Sequence, residues 1–345
     1  MATIWDVAAR AGVSKSTVSL VLNKSSLVKD ETREKVEQAI RELNYVPNNH
    51  ARGLVKRESK CFGVIIPRSD LHSAQNIYDF GYHTSLYAFN VMNGISSGLM
   101  NSDYGLLIEH FFDDGSGELP SLVRSNRVDG VFLIGNLMRS EMVDEIVKRG
   151  IPVVVIGHHY PQVDCVTTDV PQGIYLGVHH LLEKGYRNIC YLNSPVRYGS
   201  SLSRLDGLRA AFEQFGLCVT EENHIYCKHN TGEGGYLAAK LLWERDMCPD
   251  ALATANEQIA LGVMRFLYEK GIRIPDDISL VTYEASVLGG YASPALTTVN
   301  VEKERMGEIA TEMMLKRLSV PEGELQYEML EPKLVLRESV AEVKR

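Results

Sequence analysis

The chain has 345 residues, 45% of them hydrophobic, 23% charged and 8% aromatic, which is the make-up of a globular protein with room for two or three compact units. Its apolar runs, such as 153–156, fall far short of the ~20 residues a membrane span requires, and no basic segment followed by an apolar one opens the chain, which excludes an integral membrane protein and argues against a secreted one. The net charge of −8 is unevenly spread: residues 1–60 hold 11 Lys+Arg against 7 Asp+Glu, a net of +4, and the remainder holds 25 against 37, a net of −12. A basic head on an acidic body suits a small unit attracted to phosphate.

The first 46 residues read as three short helices. Thr3 can cap the first with Asp6 three residues on, and Ile4, Val7, Ala8 and Ala11 fall on one face. Gly12 stands where the chain must turn at positive φ. Ser14 can cap a second helix whose inward face is Val18, Val21 and Leu22. The third buries Val36, Ala39, Ile40 and Leu43; Lys29 is a poor cap, so Asp30 is expected to serve. None of the three is long enough to stand alone, so their apolar stripes must bury against one another. Pro47 ends this unit, and residues 48–60 read as a polar, basic linker with Gly53 in its middle and Leu54 as its main apolar residue.

Beyond residue 61 the pattern changes. Short apolar strands at 62–66, 104–108, 130–134 and 152–156 alternate with helical segments, and a second series follows at 188–192, 251–254 and 278–282. The helix expected at 256–270 places Ile259, Val263, Phe266 and Leu267 on one face. This alternation predicts parallel sheets covered by helices, in two subdomains of about four strands each with a cleft between them. The expected organisation is a head at 1–46, a linker or hinge at 47–60 and a body at 61–345, with the chain crossing between the body's halves near 158–164 and 284–290.

Six cysteines (61, 165, 190, 218, 227 and 248) form no C-x-x-C pair, which fits reduced thiols in the cytoplasm and gives no zinc site. The pairs His158-His159 and His179-His180 have no third ligand at a metal-binding spacing, so packed or solvated histidines are the reading. No G-x-S-x-G, phosphate-loop or dinucleotide fingerprint occurs, so no enzymatic activity and no cofactor are expected.

Two small-residue helices meeting at Gly12 allow the second to project into a major groove, with Lys15, Ser16, Ser19, Leu20 and Asn23 outward and Thr17 at a position to reach a phosphate or to pack. The same turn also occurs as a simple folding device. In the body, ligands of open α/β sheets lie beyond the carboxyl ends of strands, which singles out Asp169, Asn256, Glu284 and the segment after Pro67; Asp169 and Asn256 can equally cap the helices that follow them.

The A-x-x-A-G-V-S-x-x-T-V-S-x-V-L-N string of residues 8–23, with Glu31-Thr32-Arg33-Glu34-Lys35-Val36 and Leu43-Asn44-Tyr45-Val46-Pro47-Asn48, resembles the N-terminal signature of the lactose/galactose-repressor family. The resemblance runs on through Arg127-Val128-Asp129-Gly130, Gly150-Ile151-Pro152-Val153, Ala255-Asn256, Ile274-Pro275-Asp276-Asp277-Ile278-Ser279-Leu280-Val281 and Pro294-Ala295-Leu296-Thr297-Thr298-Val299. It implies an all-α helix-turn-helix headpiece joined to two Rossmann-like subdomains of the type I periplasmic-binding-protein fold. It implies a homodimer on a pseudo-palindromic operator, probing bases with the second helix and contacting DNA also through Thr3, Tyr45 and Asn48. The hinge would fold in the minor groove, with Leu54 as a wedge and Ala51 one turn earlier. A small-molecule effector, a carbohydrate or sugar derivative, would be held by Tyr87, Phe89 and Arg204 together with the post-strand residues. The chain ends without an apolar heptad tail, so no tetramer-forming appendage is expected.

Several positions depart from the family pattern. Leu20 stands where an arginine is common, and can offer a base only apolar contact. Leu202 stands where another arginine is frequent, Asn256-Glu257 and Glu284-Ala285 replace the usual acidic pairs, and Asp169 is followed by Val170. Residues 67–93 are longer and more aromatic than in typical members. The body alone would also fit an exported sugar-binding protein; the head and the absent leader argue against that reading.

Overall fold

The computed structural model describes residues 2–22, 25–45, 59–68, 86–113, 115–135, 138–195 and 200–343. Asn23, Asn48, Ala51 and Leu54 lie outside the described residues. The chain divides into two compact units, Met1–Ser59 and Lys60–Arg345.

In the first unit α1 (Ile4–Ala11), α2 (Lys15–Leu22) and α3 (Asp30–Glu42) pack around Val7, Val18 and Val36, all fully buried. Thr3 and Asp6 form a reciprocal capping box: the Thr3 N–H and hydroxyl donate to the Asp6 carboxylate at 2.7 and 2.8 Å, and the Asp6 N–H donates to the Thr3 Oγ at 3.4 Å. Gly12 sits at φ +66° and closes α1 in the left-handed conformation, where a Cβ would be strained. Ser14 Oγ accepts the Thr17 N–H at 3.1 Å and so starts α2. The third start differs from expectation. Asp30 is the first helical residue, not the cap; Lys29 precedes it and makes no side-chain capping bond. Asp30 and Glu31 help α3 by charge alone, at the end of the helix where its free N–H groups lie.

The second unit holds two sheets. The first uses β1 (Cys61–Arg68), β2 (Gly105–Phe112), β3 (Gly130–Ile134), β4 (Val153–Ile156), β5 (Asp164–Thr168) and β11 (Tyr327–Leu330), in the order β11-β5-β4-β3-β1-β2. The second uses β6 (Ile189–Asn193), β7 (His224–Tyr226), β8 (Ala251–Thr254), β9 (Ser279–Tyr283), β10 (Thr297–Asn300) and β12 (Lys333–Val335), in the order β12-β10-β9-β8-β6-β7. All described pairings are parallel except β10–β12. Each sheet therefore has more strands than the four read from the sequence.

Helices cover the sheets. On the first, alternate residues point to opposite faces. Ile65, Val131 and Val155 meet α5 (Ser121–Arg124) and α6 (Ser140–Lys148), while Val64, Phe132 and Val154 meet α4 (Leu86–Gly98) and α12 (Lys303–Ser319). The second sheet is buried among α7 (Val170–Glu183), α8 (Ser200–Gln214), α9 (Gly232–Glu244) and α10 (Glu257–Glu269), with the short α11 (Val287–Tyr291) after β9. The α4–α12 contact is so close that a Cβ at Gly94 would lie 1.9 Å from the Glu304 carbonyl oxygen.

The crossings between halves are not at 158–164 and 284–290. β5 still belongs to the first sheet and β10 to the second, so the chain crosses after Thr168, again between β10 and α12, and a third time between β11 and β12. The third crossing is set by the Arg317–Asp164 pair: the guanidinium donates to both carboxylate oxygens at 2.8 and 2.9 Å, and the Gln326 N–H donates to one of them at 2.8 Å, which docks β11 beside β5.

Candidate nucleic-acid interface and ligand cleft

In the first unit α2 turns Val18 and Val21 into the core, so Lys15, Ser16 and Leu20 are exposed and Ser19 is half-buried. Of the eleven residues expected at DNA, these four lie together on one outward surface. Thr17 is half-buried and its hydroxyl is shared with Ser14 at 2.9 Å, so it joins the cap. Thr3 is exposed, but its hydroxyl donates to Asp6. Tyr45 is half-buried against the head's core.

In the second unit, the segments following four strands carry polar residues that converge. Arg204, on α8, is only 5% exposed. Its Nη1 donates to Ser194 Oγ at 3.0 Å and its Nη2 to Glu284 Oε1 at 3.3 Å, and its guanidinium carbon lies 5.7 Å from the Tyr283 ring centroid. Ser194 in turn donates to Asn230 Oδ1 at 2.9 Å, and Asn256 Nδ2 donates to the same oxygen at 2.6 Å. Glu284, Arg204, Ser194, Asn230 and Asn256 thus form one continuous chain of hydrogen bonds. Asn256 also caps α10 through the Ile259 N–H at 2.8 Å, so its two possible roles coexist. Asp169 caps α7 by accepting from the Gln172 N–H at 2.9 Å.

Glu284 stands at φ +65°, uncommon for a residue with a side chain. It is held there by Lys303, the first residue of α12, whose buried Nζ donates to the Glu284 and Ala285 carbonyls at 3.0 and 2.5 Å. Burial holds the Lys303 ammonium below its ordinary pKa, against the opposing pull of Glu284 and Glu257. Tyr87, on α4, packs against the apolar cores of both halves. Its hydroxyl lies against Gly157, where a Cβ would sit 2.4 Å away, and donates to Met306 Sδ at 3.7 Å. Burial chiefly, with Glu284 adding and Arg204 opposing, pushes its phenol pKa up. Phe89, two residues on and so round the helix from Tyr87, is 51% exposed and is not brought to the cluster.

Three polar atoms in this cluster have no hydrogen-bond partner among the described residues: Arg204 Nε, Tyr191 Oη and Tyr283 Oη. Burial pushes both phenols up, against the pull of Arg204. They are therefore neutral hydroxyls at physiological pH, able to donate or accept. A buried polar group left unpaired costs about 1–3 kcal/mol, and here two phenol hydroxyls and the guanidinium's own Nε carry that cost together. Tyr191, Ser194, Asn230, Tyr283 and Lys303 were missed by the sequence reading. The one available signal was a tyrosine within an otherwise apolar strand, since a buried Tyr hydroxyl needs a partner.

Elsewhere the histidines are packed or solvated: His158 stands edge-on to Tyr160, His159 is exposed, His179 lies 3.5 Å from Glu183, and His180 is buried. Among the described residues no group of three or more His, Cys, Asp or Glu is placed to hold a metal ion, and no helix is long and apolar enough to cross a membrane.

Comparison with known proteins gives the following. Residues 3–48 match the family described as bacterial regulatory proteins, lacI family, and residues 178–340 match the periplasmic binding protein-like domain. The chain is 31% identical over 99% of both chains to the HTH-type transcriptional repressor PurR of Vibrio atlanticus, and 32% identical to that of Klebsiella pneumoniae, over 99% of this chain and 98% of the relative. Among solved structures it is similar to the lac repressor dimer bound to operator and the anti-inducer ONPF, with TM-score 0.80 and 25% identity over 99% of each chain. It is also similar to the transcriptional regulator CelR–cellobiose complex, with TM-score 0.71 and 27% identity, over 98% of this chain and 100% of that one.

Proposed function

The chain belongs to the lacI family of bacterial regulatory proteins, DNA-binding transcriptional repressors, and from that premise we propose that it is a cytoplasmic homodimer whose grip on a pseudo-palindromic operator is set by a small molecule, a carbohydrate or sugar derivative, in the cleft of its body. In this reading residues 1–46 read DNA, 47–60 form the hinge and 61–345 sense the effector and dimerise. Lys15, Ser16, Ser19 and Leu20 meet base edges or phosphates from α2, with Asn23 beyond them and Leu54 as the minor-groove wedge.

The observation that carries the sensing half is the trio of unpartnered buried polar atoms, Arg204 Nε, Tyr191 Oη and Tyr283 Oη, beside the acceptors Glu284 and Asp169. A hydroxylated ring offers both donors and acceptors, and a tyrosine face suits its apolar side. The similarity to a regulator solved with cellobiose supports the same class. Dimerisation is supported by the apolar residues Val287, Leu288 and Tyr291, which α11 exposes in the single chain. Coupling between halves is supported by Tyr87 and Lys303, since α4 and α12 belong to one packing layer of the first sheet while Tyr87 also packs against the apolar core of the second and Lys303 bonds the Glu284 and Ala285 carbonyls.

Two measurements test this. Duplex-DNA pull-down should retain the full chain and not a chain lacking residues 1–60; equal retention would favour a ligand-binding protein. A thermal-shift screen of hexoses, disaccharides and sugar phosphates should give at least one stabilising compound that alters operator affinity; stabilisation without such a change would separate sensing from DNA binding.

A further inference from the structure

Trp5 lies on α1 and is 64% exposed, outside the apolar core of the head. Beside it stands Lys15, the first residue of α2, with its Nζ 5.1 Å from the Trp5 ring centroid. A lysine is poorly placed there by local electrostatics. The opening turn of a helix carries the partial positive charge of its free N–H groups, which repels an ammonium. No acidic residue occurs in the first turn of α2, and the Asp6 carboxylate nearby in sequence is held by Thr3. Among the described residues no ion pair holds Lys15. What remains to hold the ammonium is the negative face of the indole, the strongest of the aromatic rings for this purpose.

We propose that Trp5 is a specificity-determining positioning residue, which clamps Lys15 at the N-terminus of α2 so that its ammonium meets an acceptor-rich base edge such as the O6 and N7 of guanine. This rests on the DNA-reading function proposed above. A free lysine has four rotatable bonds and would spread its charge over neighbouring phosphates without regard to sequence. Held over a ring, it reaches a defined point in the major groove together with the free N–H groups of the same helix turn. Trp5 acts through Lys15 and needs no contact with DNA of its own.

The experiment is selection from a randomised operator library, followed by affinity measurement on the selected duplex, using the full chain and its W5A, W5F, K15A and W5A/K15A variants. Because Trp5 is exposed, W5A should keep the wild-type helical circular-dichroism signal. W5A is expected to weaken binding about three- to ten-fold over the two heads of a dimer and to flatten preference at the same base pair that K15A flattens. W5F, which keeps a ring face, should retain most of that preference. The double variant should bind no more weakly than K15A alone, because the clamp has nothing left to hold. The clamp is overturned if W5A keeps the wild-type base preference, or if the two losses multiply in the double variant, which would mean an independent Trp5 contact. A wild-type chain that enriches no sequence overturns the DNA-reading function itself, and this inference with it.

Discussion

Replacing Tyr283 with phenylalanine should move stability and ligand affinity in opposite directions. The ring is buried, its hydroxyl has no hydrogen-bond partner among the described residues, and a neutral phenol is favoured there because burial outweighs the nearby Arg204. An unpaired buried hydroxyl costs about 1–3 kcal/mol. Removing the oxygen while keeping the ring should recover roughly 1 kcal/mol of that, an increase in melting temperature of about 2–4 °C for a body of this size. Under the proposed function a bound ligand satisfies the same hydroxyl. Its loss then removes one neutral hydrogen bond of about 1 kcal/mol, roughly a five-fold rise in Kd. Differential scanning calorimetry of the ligand-free protein, and isothermal titration with whichever screened sugar stabilises the wild type, measure the two effects. A ligand-free Tyr283→Phe protein less stable than the wild type would mean the hydroxyl already has a partner. An unchanged Kd would place the ligand elsewhere.

Three other outcomes are expected. Leu20→Arg should change the preferred base pair in a randomised-operator selection, because a half-exposed apolar side chain is replaced by a forked donor; an unchanged consensus would remove Leu20 from the reading surface. Gly94→Ala should destabilise the body by about 1–3 kcal/mol in urea titration, since the added carbon would fall 1.9 Å from the Glu304 carbonyl oxygen; a neutral result would mean α4 and α12 separate freely. Burial, chiefly, holds the His158 and His180 imidazoles below their ordinary pKa. The unfolded chain therefore takes up protons first as pH falls below about 6.5, and stability should drop on acidification until the folded-state values are passed. His180→Gln should flatten the melting temperature measured between pH 7.5 and 5.5, and an unaltered slope would exclude His180 as a source.

What the sequence discloses depends on the distance over which each feature is decided. The helices of the head are local: Thr3 and Asp6 are three residues apart, and Gly12 announces its own turn, so α1 and α2 are read almost as they stand. Asp30 was misjudged because capping turns on the backbone conformation of one residue, which an acidic side chain does not reveal. In the body the buried central strands are legible as apolar runs. β7, β11 and β12 are short and partly or largely exposed, and an edge strand with mixed polarity has no period to recognise. The crossings were misplaced for a different reason: β5 and β10 decide them, two buried interior strands whose sheet is set by pairing with β4 and β9, which no local pattern shows. In the cleft the post-strand rule reaches Asp169, Asn256 and Glu284. It cannot reach the Arg204–Glu284 pair or the Lys303 contacts, whose partners are 80 and 18–19 residues apart and are brought together only by the sheet.

The three passages of the chain between the two sheets mean that neither half is a continuous stretch of sequence. Strand β11, which completes the first sheet, is made only after every strand of the second sheet but β12. On the ribosome the body therefore cannot finish one half before beginning the other, and the first half waits with an open edge beside β5 until residues 327–330 emerge. Removing residues 327–335 would strip an edge strand from both sheets at once, so this short stretch is one that both halves of the body need.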